Sequence, residues 1–419
     1  MAKVFVKAVK AREILDSRGN PAVETMVTLT NGKQAVASIP SGESLGKYEA
    51  VELRDNDPKR YHGMGVLRAV ANVNEIIGPK VVGTDPCQQE KIDQQILNLD
   101  QSQTKSNLGA NAILSVSQGV CEAAALVKGV PIYKHVASLF GLDSYKMPMP
   151  TFNLINGGKH GAGNLDFQEF HIIPISSPTY AHSLQTGEEI YQSVEKVLVR
   201  HGAVHSVGDE GGFAPNLFTN MDALEVLTEG IKEAGRFFGK DVFLGLDVAA
   251  THFYTNGKYK IRDRTMPMVP EEIIDYYRDL NRQYPLYLLE DPLYEDDWGN
   301  WIRLTAEMTS ILVVGDDLLA TNPDRVQKAV GEKACNSILV KPNQIGTISE
   351  TLQVIKSARQ AGWKVIVSHR SGETNDDFIA DFSVGVGADL VKFGAPARGE
   401  RVAKYNRLLQ IEEEITQTT

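Results

Sequence analysis

Six apolar runs in the C-terminal two-thirds of the chain each stop at an ionisable residue. These residues are Asp247, Glu290, Asp316, Lys341, His369 and Lys392. Near-continuous apolar runs rich in β-branched residues are typical of buried parallel strands. The three carboxylates supply hard oxygen ligands, which suit Mg²⁺ or Mn²⁺, and a desolvated lysine can act as a base. The pattern predicts metal-assisted acid/base chemistry.

The spacing of these residues indicates the fold that positions them. The last five are 23 to 28 residues apart, and one strand plus its returning helix in an eight-stranded barrel takes about 30 residues. We therefore predict an α/β protein with a C-terminal eight-stranded (β/α) TIM-like barrel. Because active sites of such barrels lie at the C-terminal ends of the strands, the six residues should converge on one site.

The length leaves room for a second domain. A barrel of roughly 250 residues accounts for only part of a chain of 419 residues. Residues 1–140 are predicted to form a smaller N-terminal α+β domain, a strand meander followed by helices. Residues 141–419 form the barrel domain. The runs TFNLIN and FQEFHIIPI are expected to open the barrel as a hairpin, so its first units should be irregular.

Composition excludes several classes of partner. The net charge is −10 and no run rich in Lys or Arg is present, which argues against binding to nucleic acid. We expect no membrane span and no signal peptide, and therefore a cytoplasmic protein. The three cysteines form no CxxC pair and are expected to be reduced thiols within the packing.

Two acidic strand ends leave the choice of metal ligand open. Glu290 is followed by Asp291, and Asp316 is followed by Asp317. Alternation along a strand points one member of each pair away from the barrel axis. The pattern alone does not select the member that faces the site.

The lysines and one loop also have two interpretations. Burial and nearby cations would lower the pKa of Lys341 or Lys392 and make either one a base, or each could extend its ammonium group from the barrel mouth into water.

The run VGDEGG carries Glu210 beside two glycines, which fits either a mobile acid/base loop or a solvated turn. Arg370 and Ser371 follow a strand and could clamp a phosphate or carboxylate, with a surface arginine as the alternative.

Several motifs in a fixed order resemble those of one family. The chain is similar to the enolase family along nearly its whole length, through LDSRGNPAVE, PSGESLGKYEA, GAGNLDFQEF, VGDEGGFAPN, LEDP, GDDL, VKPNQIGT, SHRSGET and VKFGAPARGERVAKYN. The resemblance implies reversible dehydration of 2-phospho-D-glycerate to phosphoenolpyruvate in glycolysis and gluconeogenesis. It also implies two Mg²⁺ per active site, an N-terminal lid domain and a homodimer or homo-octamer.

The resemblance assigns roles to thirteen positions. The metal ligands are Asp247, Glu290 and Asp316, and Ser44 helps to hold the second Mg²⁺. The base is Lys341 and the general acid is Glu210, supported by Glu169 and Lys392. Substrate contacts are expected from His160, Gln168, Glu169, His369, Arg370, Ser371 and Lys392.

The chain departs from the family's usual pattern near the lid and the pocket. Glu43 and Leu45 stand where a small residue and a threonine are usual, Phe393 replaces a threonine, and GAGNLD follows His160. These departures keep two alternatives open. One is a family paralogue that acts on another phosphorylated or phosphonylated three-carbon acid, and the other is a non-catalytic binding protein with the same fold.

Overall fold

The structure, a computed structural model, describes residues 3–42, 46–161 and 163–417. The predicted metal-site residue Ser44 and the two departures Glu43 and Leu45 lie outside the described residues.

The N-terminal region is a three-stranded antiparallel sheet followed by helices. The strands are β1 (Val6–Leu15), β2 (Pro21–Leu29) and β3 (Gln34–Ser38), paired in that order. The helices are α1 (Leu67–Ala71), a π-helical turn (Asn72–Ile77), α2 (Gly78–Val81), α3 (Gln89–Asp100), α4 (Ala110–Lys128) and α5 (Ile132–Phe140), with a 3₁₀ turn at Tyr61–Gly63. The turn between β2 and β3 has Gly32 at a φ of 84°, a conformation that glycine adopts without steric cost. The predicted strand meander is confirmed.

Helix α4 forms the centre of the N-terminal domain, where Val116 and Val120 are fully buried. Its length and composition alone would allow it to cross a membrane, but 83% of its apolar window is buried inside the fold. Helix α4 packs against β2, β3, α3 and α5. A core helix that is apolar on most faces passes the same test as a membrane span.

His135 in α5 makes the stability of this region depend on pH. Its side chain is fully buried, and Lys128 Nζ lies 3.1 Å from His135 Nδ1. Burial, and then the positive charge of Lys128, lowers the pKa of His135 to about 4. An unfolded histidine takes up a proton near pH 6.5, whereas the folded one stays neutral. The stability from neutral burial is therefore complete above pH 6.5 and is lost as the pH falls toward 4.

We expect the free energy of unfolding to fall by about 2 kcal/mol through His135 between pH 7.5 and pH 5. His135→Gln should remove that part of the pH dependence, as measured by urea unfolding at both pH values. His205 is exposed, so His205→Gln is the matched control and should keep the wild-type slope. An unchanged slope in His135→Gln would contradict the assignment.

The C-terminal region is a closed barrel of eight strands surrounded by helices. Its strands are β4 (Met149–Asn156), β5 (Glu169–Pro174), β6 (Val242–Asp247), β9 (Leu286–Glu290), β10 (Leu312–Gly315), β11 (Ser337–Val340), β12 (Lys364–Ser368) and β13 (Leu390–Lys392), and a separate hairpin holds β7 (Tyr254–Thr255) and β8 (Lys258–Tyr259). The helices are α6 (Tyr180–Arg200), α7 (Asn220–Glu233), α8 (Pro270–Gln283), α9 (Trp298–Glu307), α10 (Pro323–Glu332), α11 (Ile348–Gln360), α12 (Phe378–Gly385) and α13 (Gly399–Thr416). Short 3₁₀ turns cover Gly158–His160, Ala250–Phe253 and Pro342–Gln344. The predicted α/β barrel is confirmed.

The first barrel units are irregular, as expected from the sequence. Strand β5 pairs antiparallel with both β4 and β6, while β6–β9 and β13–β4 are parallel. The start of β5 therefore lies beside the ends of its neighbours: Glu169 is in register with Asp247, which is in register with Glu290. The reversal brings Glu169 to the same end of the barrel as the ionisable strand ends.

The barrel has two apolar layers. Six buried side chains fill its interior: Ile173, Leu288, Val314, Leu339, Ile366 and Leu390. A larger cluster lies between the strands and the surrounding helices. The strands are buried on both faces, which explains their near-continuous apolar sequences. A rigid barrel of this kind supports polar groups at its mouth.

Candidate active site

The predicted residues meet in a cavity of about 70 Å³ at the C-terminal end of the barrel. Eleven of the thirteen line it: His160, Gln168, Glu169, Glu210, Asp247, Asp316, Lys341, His369, Arg370, Ser371 and Lys392. Glu290 accepts a hydrogen bond from Lys392, which lines the cavity. Ser44 lies outside the described residues. The convergence expected from the strand ends is therefore observed.

Lys392 is the centre of the acidic cluster. Its Nζ lies 2.9 Å from Asp247 Oδ2, 2.9 Å from Glu290 Oε1 and 3.0 Å from Glu169 Oε2. Burial opposes the charged ammonium, but Asp247 and Glu169 outweigh that effect and raise the pKa of Lys392 well above its usual value. Lys392 is thus an ammonium ion. It supplies positive charge here and is unsuited to act as a base.

The backbone distinguishes Glu290 from its acidic neighbour. Asp291 has a φ of 41°, and its carboxylate accepts hydrogen bonds from the backbone N–H groups of Asp316, at 3.0 Å, and Asp317, at 2.7 Å. Both oxygens of Glu290 instead accept bonds from Lys392, at 2.9 and 3.0 Å. Asp291 therefore holds the β10 end in place, while Glu290 faces the cluster.

Asp316 binds the second lysine of the cavity. Lys341 Nζ lies 2.5 Å from Asp316 Oδ2, and Gln344 Nε2 donates to Asp316 Oδ1 at 3.0 Å. Burial would lower the pKa of Lys341, but the Asp316 carboxylate raises it overall. Lys341 is charged in this arrangement because the Asp316 carboxylate is paired with it.

Glu210 lies among separate partners on the loop between α6 and α7. Asn153 Nδ2 donates to Glu210 Oε2 at 3.1 Å, and His369 Nε2 is 3.3 Å from the same oxygen. The next residue, Gly211, has a φ of 87°, and a Cβ there would lie 2.8 Å from Ala397 O. A glycine is therefore required for the loop to hold Glu210 in this position.

Two histidines control the ionisation of Glu210. Burial and the carboxylate of Glu169 both act to raise its pKa, but His369 and His160 outweigh them and lower it to about 2. Burial acts to lower the pKa of His160, but Glu210 and Glu169 raise it to about 9. Near neutral pH the pair is therefore a carboxylate beside an imidazolium, with His160 Nδ1 3.5 Å from Glu210 Oε1.

Glu169 is held by histidines on both sides. His160 Nδ1 lies 3.0 Å from Glu169 Oε1, and His171 Nε2 lies 2.8 Å from Glu169 Oε2. The sequence analysis missed His171, although it is two residues from Glu169 on one strand and so shares its face. Burial raises the pKa of Glu169, but Lys392 and then His160 lower it well below its usual value.

Arg370 and Ser371 follow β12 and also line the cavity. The Arg370 guanidinium is buried and donates from Nη1 to Glu49 Oε2 and to Asn343 Oδ1, each at 2.9 Å. Arg401, fully buried, donates to Arg370 O at 2.6 Å and to Ser371 O at 2.7 Å. Sequence reasoning did not single out Arg401, because only the fold brings its helix α13 to β12.

The acidic groups lie close enough together to be candidate cation ligands. Among the described residues, two sets of three place ligand atoms within 4.8 Å of one another: His160, Glu169 and Glu210, and Asp291, Asp316 and Asp317. The predicted set of Asp247, Glu290 and Asp316 is not one of them. Lys392 and Lys341 lie against its carboxylates instead.

Two departures from the family pattern lie outside the cavity lining. The Phe393 side chain is fully buried against Tyr405, with ring centroids 6.0 Å apart. Asn164 Nδ2 donates to Pro215 O at 2.8 Å and to Leu217 O at 2.6 Å. Phe393 therefore packs in the core, and Asn164 joins the loop of His160 to the loop that follows Glu210.

These features define a class: an α/β-barrel protein with an acidic cluster, three lysines and an arginine at the C-terminal mouth of the barrel. Residues 6–136 match the family model for the enolase N-terminal domain, and residues 144–419 match the model for the enolase C-terminal TIM barrel domain. The chain is 48% identical over 412 residues to an enolase from Beutenbergia cavernae, covering 98% of this chain and 96% of that protein. The chain belongs to the enolase family.

Proposed function

We propose that this protein is a phosphopyruvate hydratase that uses Mg²⁺ to dehydrate 2-phospho-D-glycerate reversibly to phosphoenolpyruvate, in glycolysis and gluconeogenesis. Family membership supports this hydro-lyase class. The observation that carries the assignment of residues is geometric: Lys341 and Glu210 line one cavity but have separate partners. An acid and a base with independent surroundings can act on two different bonds of one substrate.

The residues present fit a divalent cation. The cavity lining includes seven Asp or Glu and four Lys or Arg side chains, so carboxyl groups outnumber the lysine and arginine side chains. Burial and the nearby Asp247 carboxylate raise the pKa of Glu290 well above its usual value, which indicates crowding of like charges. Asp247, Glu290 and Asp316 would hold Mg²⁺, and Ser44 would help to hold a second ion. When bound, the metal would stabilise the added negative charge on the substrate carboxylate.

Lys341 would remove the proton from C2 of the substrate. An amine must be neutral to accept a proton, and the carboxylate of Asp316 is what keeps Lys341 charged in the arrangement described. If the Asp316 carboxylate paired with another positive group, the pKa of Lys341 would therefore fall and the neutral amine would be favoured. Lys392, already an ammonium, would lie beside the developing negative charge and stabilise it.

Glu210 would deliver a proton to the departing C3 hydroxyl. Its low pKa makes it a carboxylate in the free protein, so it needs a proton source. His160, charged at neutral pH and 3.5 Å away, could pass a proton to Glu210 once the negative charge of a bound substrate has raised the low pKa of Glu210. Glu169 supports this step by orienting His160.

The remaining predicted residues would bind the substrate. Arg370 and Ser371 would hold the phosphate, because a guanidinium fork matches its oxygens. His369 and Gln168, which also line the cavity, would contact the substrate. We also retain the expectations of a homodimer or homo-octamer, a cytoplasmic location, no nucleic-acid partner and a division of the chain into residues 1–140 and 141–419.

A direct assay tests the proposed function. The purified protein should convert 2-phosphoglycerate to phosphoenolpyruvate in the presence of Mg²⁺, followed by the absorbance of the enol product. No turnover of this substrate, with turnover of a phosphonylated analogue, would favour the paralogue. No turnover of either would favour a binding protein of the same fold.

Glu43 and Leu45 provide a second test of the paralogue. Two unit charges 4 Å apart interact by about 1 kcal/mol in water and about 4 kcal/mol at an effective dielectric of 20, so an inward Glu43 carboxylate would affect an anionic substrate strongly. We expect Glu43→Ala, with or without Leu45→Thr, to change kcat/KM for 2-phosphoglycerate by less than about tenfold, or roughly 1.4 kcal/mol. A hundredfold gain would favour the paralogue.

A further inference from the structure

Residues 46–50 tie the N-terminal domain to the barrel mouth. Lys47 Nζ lies 2.9 Å from Asp296 Oδ2, and Tyr48 donates its hydroxyl to Asp296 Oδ1 at 2.7 Å. The guanidinium of Arg325 lies over the Tyr48 ring, 3.6 Å from its centroid, a favourable cation–π arrangement. The anchored segment directly follows residues 43–45 in the sequence.

Glu49 is the residue of this segment that reaches the active site. Its side chain is buried, and its carboxylate accepts from Arg370 Nη1 at 2.9 Å and from Arg370 Nη2 at 3.4 Å. The same carboxylate accepts from the backbone N–H of Gly46 at 3.2 Å. It also lies 3.5 Å from Gln344 Nε2, and Gln344 donates to Asp316. Glu49 therefore contacts the loop end, the arginine and the Gln344 link to Asp316.

The bonds to Glu49 orient the Arg370 guanidinium. A guanidinium has five N–H donors in a rigid planar fork. Two point to Glu49 and one to Asn343 Oδ1, so the edge of the fork that remains for a ligand is determined by protein contacts. An arginine oriented in advance loses less conformational freedom when it binds an anion.

We propose that Glu49 is a positioning residue that holds Arg370 for the phosphate of the substrate and couples the placement of residues 46–50 to that site. The proposal rests on the proposed function, because it takes Arg370 as the phosphate ligand. Glu49 acts through Arg370 and does not itself bind the anion, since its carboxylate would repel a phosphate.

This repulsion predicts a split between binding and turnover. Glu49→Gln removes a negative charge beside the anion site but keeps an acceptor of similar size. Removal of the repelling charge should offset or outweigh the weaker orientation of Arg370 in anion binding, so KM and the Ki of inorganic phosphate should stay the same or fall. Arg370 should be less precisely oriented, and kcat should fall about 10- to 100-fold.

The experiment first establishes 2-phosphoglycerate turnover by the wild-type protein, so that failure of the proposed function is recognised separately. It then compares Glu49→Gln, Arg370→Lys and the double variant, with inorganic phosphate as a competitive inhibitor. Because Glu49 acts through Arg370, Glu49→Gln should lower kcat by less than about threefold further in the Arg370→Lys background. The matched control is Glu350→Gln, which removes another carboxylate paired across the two domains, with Lys105 Nζ at 2.9 Å; it should keep the wild-type kcat.

Three results would overturn the proposal. One is an unchanged kcat in Glu49→Gln, and a raised Ki of phosphate beside it would make Glu49 a determinant of binding alone. Another is an equal loss of kcat in the wild-type and Arg370→Lys backgrounds, which would show that Glu49 does not act through Arg370. The third is a loss of kcat in Glu350→Gln equal to that in Glu49→Gln, which would indicate a general effect on domain packing.

Discussion

Asp316→Asn is expected to lower kcat/KM for 2-phosphoglycerate by about a thousandfold, or roughly 4 kcal/mol of transition-state stabilisation. Two physical effects oppose each other at this position, and the loss of the metal ligand dominates. A hard divalent cation loses an anionic oxygen ligand, whereas Lys341 loses the carboxylate that lies 2.5 Å from its Nζ and keeps it charged. The substitution keeps the shape of the side chain and the acceptor for Gln344, so the fold should remain intact.

The measurement is steady-state dehydration over a range of Mg²⁺ concentrations, with circular dichroism to verify folding. Asp324→Asn is the matched control, because Asp324 is an exposed acid at the start of α10, and it should behave as the wild type. Chelator in excess should stop turnover by the wild-type protein. Full turnover in chelator, or a wild-type rate in Asp316→Asn, would contradict the assignment of a metal ligand.

Lys341→Ala is expected to stop exchange of the substrate's C2 proton with solvent, whereas Glu210→Gln should retain exchange but lose dehydration. Each loss should be on the order of 10²- to 10⁴-fold, the usual contribution of a positioned acid or base. The structural reason is that Lys341 pairs with Asp316, while Glu210 lies with Asn153 and His369. Removal of one group should leave the surroundings of the other unchanged.

Exchange is measured by loss of label from C2 in heavy water, and dehydration by the absorbance of the product. Asp209→Asn is a useful control for the loop, since it changes a charge beside Glu210 but leaves the backbone oxygen that accepts from Arg401 Nη2 at 3.1 Å. It should affect both measurements less than Glu210→Gln. Equal loss of exchange in Lys341→Ala and Glu210→Gln would show that one group performs both steps, and would contradict the separate roles.

The sequence alone determined the barrel and most of the strand-end residues. Strands β6 and β9–β13 are buried on both faces, so their apolar runs are nearly continuous and the ionisable residue that closes each run marks the end of the strand. Asp247, Glu290, Asp316, Lys341, His369 and Lys392 all lie at the mouth of the barrel, where this rule places them. The hairpin that opens the barrel was also predicted from its two strand-like runs.

Only the tertiary structure decided how these residues pair. Glu169 joins the cluster because β5 runs antiparallel and so presents its first residue at the barrel mouth. The carboxylate of Asp291, unlike that of Glu290, accepts a hydrogen bond from the backbone N–H of Asp316, 25 residues away in sequence. Glu49 meets Arg370 across 321 residues of sequence. Strand periodicity indicates which residues are buried, which is a local property. Contacts between residues distant along the chain depend instead on how one element packs on another.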